Sequence, residues 1–85
     1  MNFVVSPKAK KQLYHLPKAT QKKAKRQFGF LLLNYRHPSL HAKKMQGNEI
    51  FEARVDIHYR FTFYVGKDEI NILSIGPHDE GLGKK

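Results

Sequence analysis

The 85-residue chain has no cysteine, which excludes a disulfide framework and any thiolate-metal centre. It has no long apolar stretch either. The densest run, Phe28 to Leu33, is far too short to span a bilayer, and no signal-peptide pattern is visible, so the expectation is a cytoplasmic protein without membrane association. Acidic residues are missing from the first half: eleven Lys and Arg precede Glu49 with no Asp or Glu among them. From Glu49 onward seven acids face five bases, and the whole chain carries +9 at pH 7. Internal repeats, a glycine-rich phosphate loop, a nucleophile elbow and low-complexity tracts are absent too, which removes the commonest nucleotide-binding and hydrolase signatures.

What remains is a basic chain that is 40% hydrophobic, enough to build a modest core and to exclude compositional disorder. The length suits one domain over residues 1–85. A charge excess of this kind concentrates polyanions and suits nucleic acid, a ribosome or an acidic protein; it equally suits a plain solvated helix surface.

The most informative stretch is Ile50 to Asp79. Phe51, Ala53 and Val55 alternate with Glu52, Arg54 and Asp56; Tyr59, Phe61, Phe63 and Val65 alternate with Arg60, Thr62 and Tyr64. This period of two, with turn residues between, predicts an antiparallel meander of three strands. Directly opposed residues share a face, so burying both apolar sets together requires a loop of odd length. Ile57-His58-Tyr59 as that loop places Arg60 opposite Asp56, Thr62 opposite Arg54 and Tyr64 opposite Glu52. The next turn, centred on Lys67-Asp68, opposes Val65 to Ile70, Phe63 to Ile72 and Arg60 to Ile75. Arg54, Arg60 and His78 are thereby expected together at one end of the meander, around the face opposite the aromatic core.

Before the meander, Asn2 to Val5 reads as a first strand and Ser6-Pro7 as an N-cap with proline at the first helical position. One helix is predicted to about Leu16, stopped by Pro17, with Ala9, Leu13 and Leu16 on its apolar stripe. A second, from about Lys18 to Tyr35, turns Ala24, Phe28, Leu31, Leu32 and Tyr35 inward and leaves Lys22, Lys23, Lys25 and Arg26 in water. Gly29 weakens that helix and suggests a close approach. The expected fold is therefore α+β, with an N-terminal strand, a two-helix hairpin and a three-stranded antiparallel meander. His37 and His41 have helical metal spacing, but Pro38 between them argues against a regular helix, so neither a metal site nor a cofactor is expected. Lys43 and Lys44 come just before the first meander strand and can border its open face.

In this order of elements the chain resembles the RelE/ParE superfamily of bacterial type II toxins, through SPKAKKQL after the first strand, then HPSLHAKKMQG, EARVDIHYRFTF and ILSIGPHDE. The resemblance implies a βααβββ fold, with helices on one face of the sheet and a basic concave surface on the other. For the RelE-like branch it implies an endoribonuclease acting on mRNA at the ribosome, inhibiting translation. Arg60 is then the phosphate-binding arginine, His78 the general acid or base, and Lys44 a candidate base. Lys43, Lys44, Arg54 and Arg60 supply the RNA-binding charge. An acidic antitoxin is the implied protein partner. The ParE branch implies instead a non-catalytic inhibitor of DNA gyrase, and a basic module serving only its antitoxin is a third possibility. Some active branches end in an aromatic residue or carry a glutamate base before the meander. Here those regions hold Asp79, Glu80 and Leu82, and lysines.

Overall fold

Ser6 is the joint at which strand becomes helix. Its Oγ accepts from the backbone N–H of Ala9, capping the first helix, and donates to the carbonyl of Leu73 (both 3.1 Å). A computed structural model describes residues 2–35, 37–45 and 49–77. Strand β1 (Asn2–Val5) precedes helices α1 (Pro7–Tyr14) and α2 (Lys18–Leu33). A single 3₁₀ turn (Pro38–Leu40) leads to β2 (Lys43–Lys44), β3 (Ile50–Arg54), β4 (Tyr59–Val65) and β5 (Glu69–Pro77). The five strands form one sheet in the order β1-β5-β4-β3-β2. β1 pairs parallel to β5 and the other neighbours are antiparallel. The expected α+β order is present, and Lys43–Lys44 add a short edge strand to it. No helix among the described residues is long and apolar enough to cross a membrane.

The core lies between the helices and one face of the sheet. Ala9 and Leu13 of α1, and Ala24, Phe28 and Leu31 of α2, are buried against Phe61, Phe63, Ile70, Ile72 and Ile75. Phe28 bridges the layers, 5.3 Å from the ring of Phe3 and 5.2 Å edge-on to Phe61. Phe51 stacks on Phe63 at 5.2 Å and meets Tyr35 edge-on at 5.7 Å. Such pairs add about 0.5–1.5 kcal/mol each beyond the area they bury. Both helices stop two residues sooner than the periodicity predicts. Leu32 is 44% exposed rather than inward, whereas Tyr35, beyond the helix end, still packs on the core. Gly29 is exposed and a Cβ there would meet nothing within 4 Å, so no close packing explains it.

Two registers differ from expectation, each for a local reason. Between β3 and β4 the pairs are Glu52 with Thr62, Ala53 with Phe61 and Arg54 with Arg60, a two-residue displacement that preserves which residues share a face. Its cause is Asp56, whose Oδ1 accepts from the N–H groups of His58 (2.8 Å) and Tyr59 (3.0 Å). That Asx turn draws Asp56 into the loop, which becomes Asp56-Ile57-His58, closed by Val55 N–H to Tyr59 O at 2.9 Å. Between β4 and β5 the expected pairs Val65 with Ile70 and Phe63 with Ile72 are present. The register then slips at Leu73, so that Thr62 faces Ser74, Phe61 faces Ile75 and Arg60 faces Gly76, not Ile75. A bulge of this kind inserts one residue and reverses the inside-outside alternation, keeping Ile70, Ile72 and Ile75 all in the core. Backbone groups beside the bulge are satisfied from α1: Ser6 reaches the carbonyl of Leu73, and Gln12 Oε1 accepts from Ile75 N–H at 2.8 Å.

Two outcomes follow. Gly29→Ala should raise stability by about 0.5–1 kcal/mol in urea unfolding, since the site is helical, open and exposed. For Asp56, partial burial raises the carboxyl pKa, but the His58 and Tyr59 N–H groups and Lys23 outweigh it and hold it below the usual value. Its contribution is therefore complete above the ordinary carboxylate range and is lost as pH falls through the lowered value. Asp56→Asn keeps an oxygen acceptor but cannot titrate there, so its stability should fall less than the wild type's between about pH 6 and pH 2.

Candidate functional site

The face of the sheet away from the helices carries Asn71, Tyr64, Thr62, Ser74, Glu52, Arg54, Arg60 and Gly76, placed there by the strand pairings. At its loop end, Arg54 and Arg60 are directly opposed on neighbouring strands. Like charges so placed repel, and a sheet under no demand but stability has no reason to keep them. Neither takes part in the described ion pairs, Lys23 with Asp56 (3.5 Å) and Lys44 with Glu49 (3.4 Å). Asp56, expected across from Arg60, gives it only a backbone carbonyl, 3.1 Å from Nη1, because its carboxylate is engaged by the loop and by Lys23. Arg54 Nε is a buried donor without an acceptor among the described residues. Among the described residues, then, two guanidiniums share one rung of the sheet face without a carboxylate to neutralise either. Their planar forks suit the oxygens of a phosphate.

The rung is held from behind. Gln27, buried in α2, donates through Nε2 to the carbonyls of Arg54 (2.8 Å) and Ser39 (3.0 Å). One amide therefore fixes the end of β3 and the 3₁₀ turn to the same helix. Sequence reading missed Gln27, which sits among solvated lysines and breaks no polar pattern. The pinned turn sets His41, whose backbone is left-handed (φ 49°), at the edge of the arginine rung. A shallow pocket of about 200 Å³ is lined by His41, Lys43, Glu52, Ala53, Arg54 and Arg60. It brings together two guanidiniums, an ammonium, an imidazole and a carboxylate. His41 carried no sequence signal, because its place depends on the turn. His37 is employed otherwise, stacked on Phe30 at 4.3 Å with Nδ1 accepting from the N–H of Ser39.

The predicted residues divide as follows. Arg54, Arg60 and Lys43 come together, Lys43 through its pairing with Glu52. Lys44 is paired with Phe51, on the helix side of the sheet, and bonds to Glu49, so it does not join them. His78 lies outside the described residues, as do Asp79, Glu80 and Leu82.

No family model matches the sequence, and no curated protein matches it. Solved structures do. A YoeB/ParE toxin from Agrobacterium tumefaciens superposes with a TM-score of 0.81 at 10% identity, over 92% of this chain and 99% of that one. The archaeal RelE–RelB complex from Pyrococcus horikoshii matches with a TM-score of 0.80 at 21% identity, over 93% and 96%. A RelB–RelE antitoxin–toxin complex from Methanococcus jannaschii gives 0.74 at 20%, over 87% and 88%. The chain has the RelE/ParE toxin fold.

Replacing Arg54 by Thr removes the repulsion and the unpaired donor while keeping a good strand former. Arg54→Thr should therefore raise the thermal midpoint, by the equivalent of roughly 0.2–1 kcal/mol, and elute from a heparin column at lower salt than the wild type.

Proposed function

We propose that the protein is a toxin of a toxin–antitoxin pair, acting as an endoribonuclease on translated mRNA. The observation that carries this reading is the Arg54–Arg60 rung, two opposed arginines on one sheet face that have no carboxylate partner among the described residues. The toxin fold supports it, and so does the +9 charge. RNA cleavage of this type needs a base to remove the ribose 2′-OH proton as the oxygen attacks phosphorus, and an acid to protonate the 5′ oxygen as the P–O5′ bond breaks. Cations must meanwhile hold the charge that accumulates on the phosphorane oxygens.

Arg60 takes the scissile phosphate in this scheme, with Arg54 and Lys43 adding positive charge. For proton transfer the described pocket offers His41 and Glu52. His78 follows Pro77 in the chain, and Pro77 pairs with Tyr59 beside Arg60, so it is the further candidate for the acid. Lys44 adds to the general field from the sheet edge. The partner that restrains the toxin is an acidic antitoxin, suited by charge and by the complexes in which proteins of this fold are found.

Induced expression in a bacterial host, with primer extension on a translated transcript, tests the proposal. New mRNA ends should appear within the coding region and fall by a factor of about 10²–10³ in Arg60→Ala, the usual cost of removing one charge-stabilising donor. His78→Ala and His41→Ala identify the proton-transfer group. Growth arrest without new mRNA ends, or arrest unchanged by Arg60→Ala and His78→Ala alike, would sink the nuclease reading. Gyrase-linked DNA breaks in its place would establish the ParE-like activity.

A further inference from the structure

Apart from the arginine pocket, a groove of about 740 Å³ lies between α1 and the end of β5. Lys8, Lys11 and His15 line its helix side; Tyr59, Ser74 and Gly76 line its sheet side, and no Asp or Glu among the described residues contributes. Ser74 and Gly76 belong to the open face, whereas Tyr59 belongs to the core side, so the groove wraps around the free edge of β5 where β1 has ended. Gly76 is directly opposed to Arg60, which is opposed to Arg54. The rung Arg54, Arg60, Gly76 therefore leads from the arginine pocket straight into the groove. A Cβ on Gly76 would meet nothing within 4 Å, so the missing side chain leaves that passage open.

The chemistry of the groove is that of a nucleotide site. Lys8 and Lys11 are exposed ammoniums one helical turn apart, and Tyr59 is a half-buried ring at the opposite wall. Phosphates suit the first and a base the second. His15 Nδ1 must donate to the carbonyl of Lys11 at 2.7 Å, which leaves Nε2 for a ligand. A peptide adding as a strand is disfavoured here. The outward N–H of Ile75 is already taken by Gln12, and Pro77, facing the same way two residues on, has none.

We propose that this groove is a second subsite of the same binding surface, holding the base and phosphate of a nucleotide that flanks the one at Arg54 and Arg60 on a single RNA strand. The inference rests on the ribonuclease reading, and its test separates the two. The probe is a labelled single-stranded RNA of about eight nucleotides, 2′-O-methylated to prevent cleavage and followed by fluorescence anisotropy against salt. Lys8→Ala/Lys11→Ala should weaken binding roughly ten- to thirtyfold at about 0.1 M salt and flatten the log–log salt slope by about 1.4, the value for two lost phosphate contacts. Lys22→Ala/Lys25→Ala, with the same charge change on the exposed side of α2, should stay within about threefold of the wild type. Gly76→Leu, which closes the passage, should also weaken the octamer.

An octamer affinity unchanged by Lys8→Ala/Lys11→Ala, or changed equally by the α2 pair, while Arg60→Ala weakens it, overturns the subsite and leaves the ribonuclease reading standing. Failure of the wild type to bind the octamer overturns both. Loss of binding to a glutamate-rich peptide in Lys8→Ala/Lys11→Ala, with RNA affinity intact, overturns the subsite in favour of an acidic protein on the groove.

Discussion

The arrangement depends on one constraint of parity. β5 needs Ile70, Ile72 and Ile75 in the core, and no regular strand can turn residues of both even and odd number to one side. The extra residue at Leu73 resolves this, and it works twice over. It completes the core beneath Phe61, and it brings Gly76 rather than Ile75 to the open face beside Arg60. A bulged backbone leaves polar groups without ladder partners, and α1 supplies substitutes through Ser6 and Gln12. The helix is thereby tied to the part of the sheet that carries the basic surface.

Electrostatics runs against stability on that surface. Arg54 faces Arg60, the nearby Asp56 spends its carboxylate on its own loop and Lys23, and Gln27 ties the Arg54 end of β3 to α2. The anionic ligand proposed for this face would supply what the described fold withholds. Under that proposal the repulsion present in the free protein would be offset on binding, and the difference would add to the affinity.

Most of this fold was legible in the sequence because it is written in periods. Alternation in Phe51–Val55 and Tyr59–Val65, the Ser6-Pro7 cap and the Pro17 stop each state a local rule that the tertiary structure obeys. The face carrying Arg54 and Arg60 was legible for the same reason. The pairings were legible only in part: Val65 with Ile70 and Phe63 with Ile72 were, whereas those between β3 and β4 and those beyond Leu73 were not. Asp56 reads equally well as the last strand residue or the first loop residue, and only its two side-chain hydrogen bonds decide. The adjacent apolar pair Ile72-Leu73, followed by Ile75, does mark the change of phase, but one extra apolar residue is a weak mark. Gln27 and His41 were illegible in a stronger sense, since their roles come from contacts between α2, the 3₁₀ turn and β3 that no short window contains. Lys44 shows the same limit: adjacent to Lys43 in sequence, it is turned to the opposite side by the pleat of a strand only two residues long.

That edge strand governs how the molecule can be approached. Both of its residues are lysines, and its extent of two residues offers another chain scarcely any ladder to extend. The sheet is thus guarded against growth at this side by length and by charge. At this edge a partner lying across the strands is thus favoured over one that runs alongside them, a preference of shape that precedes any contact with a side chain.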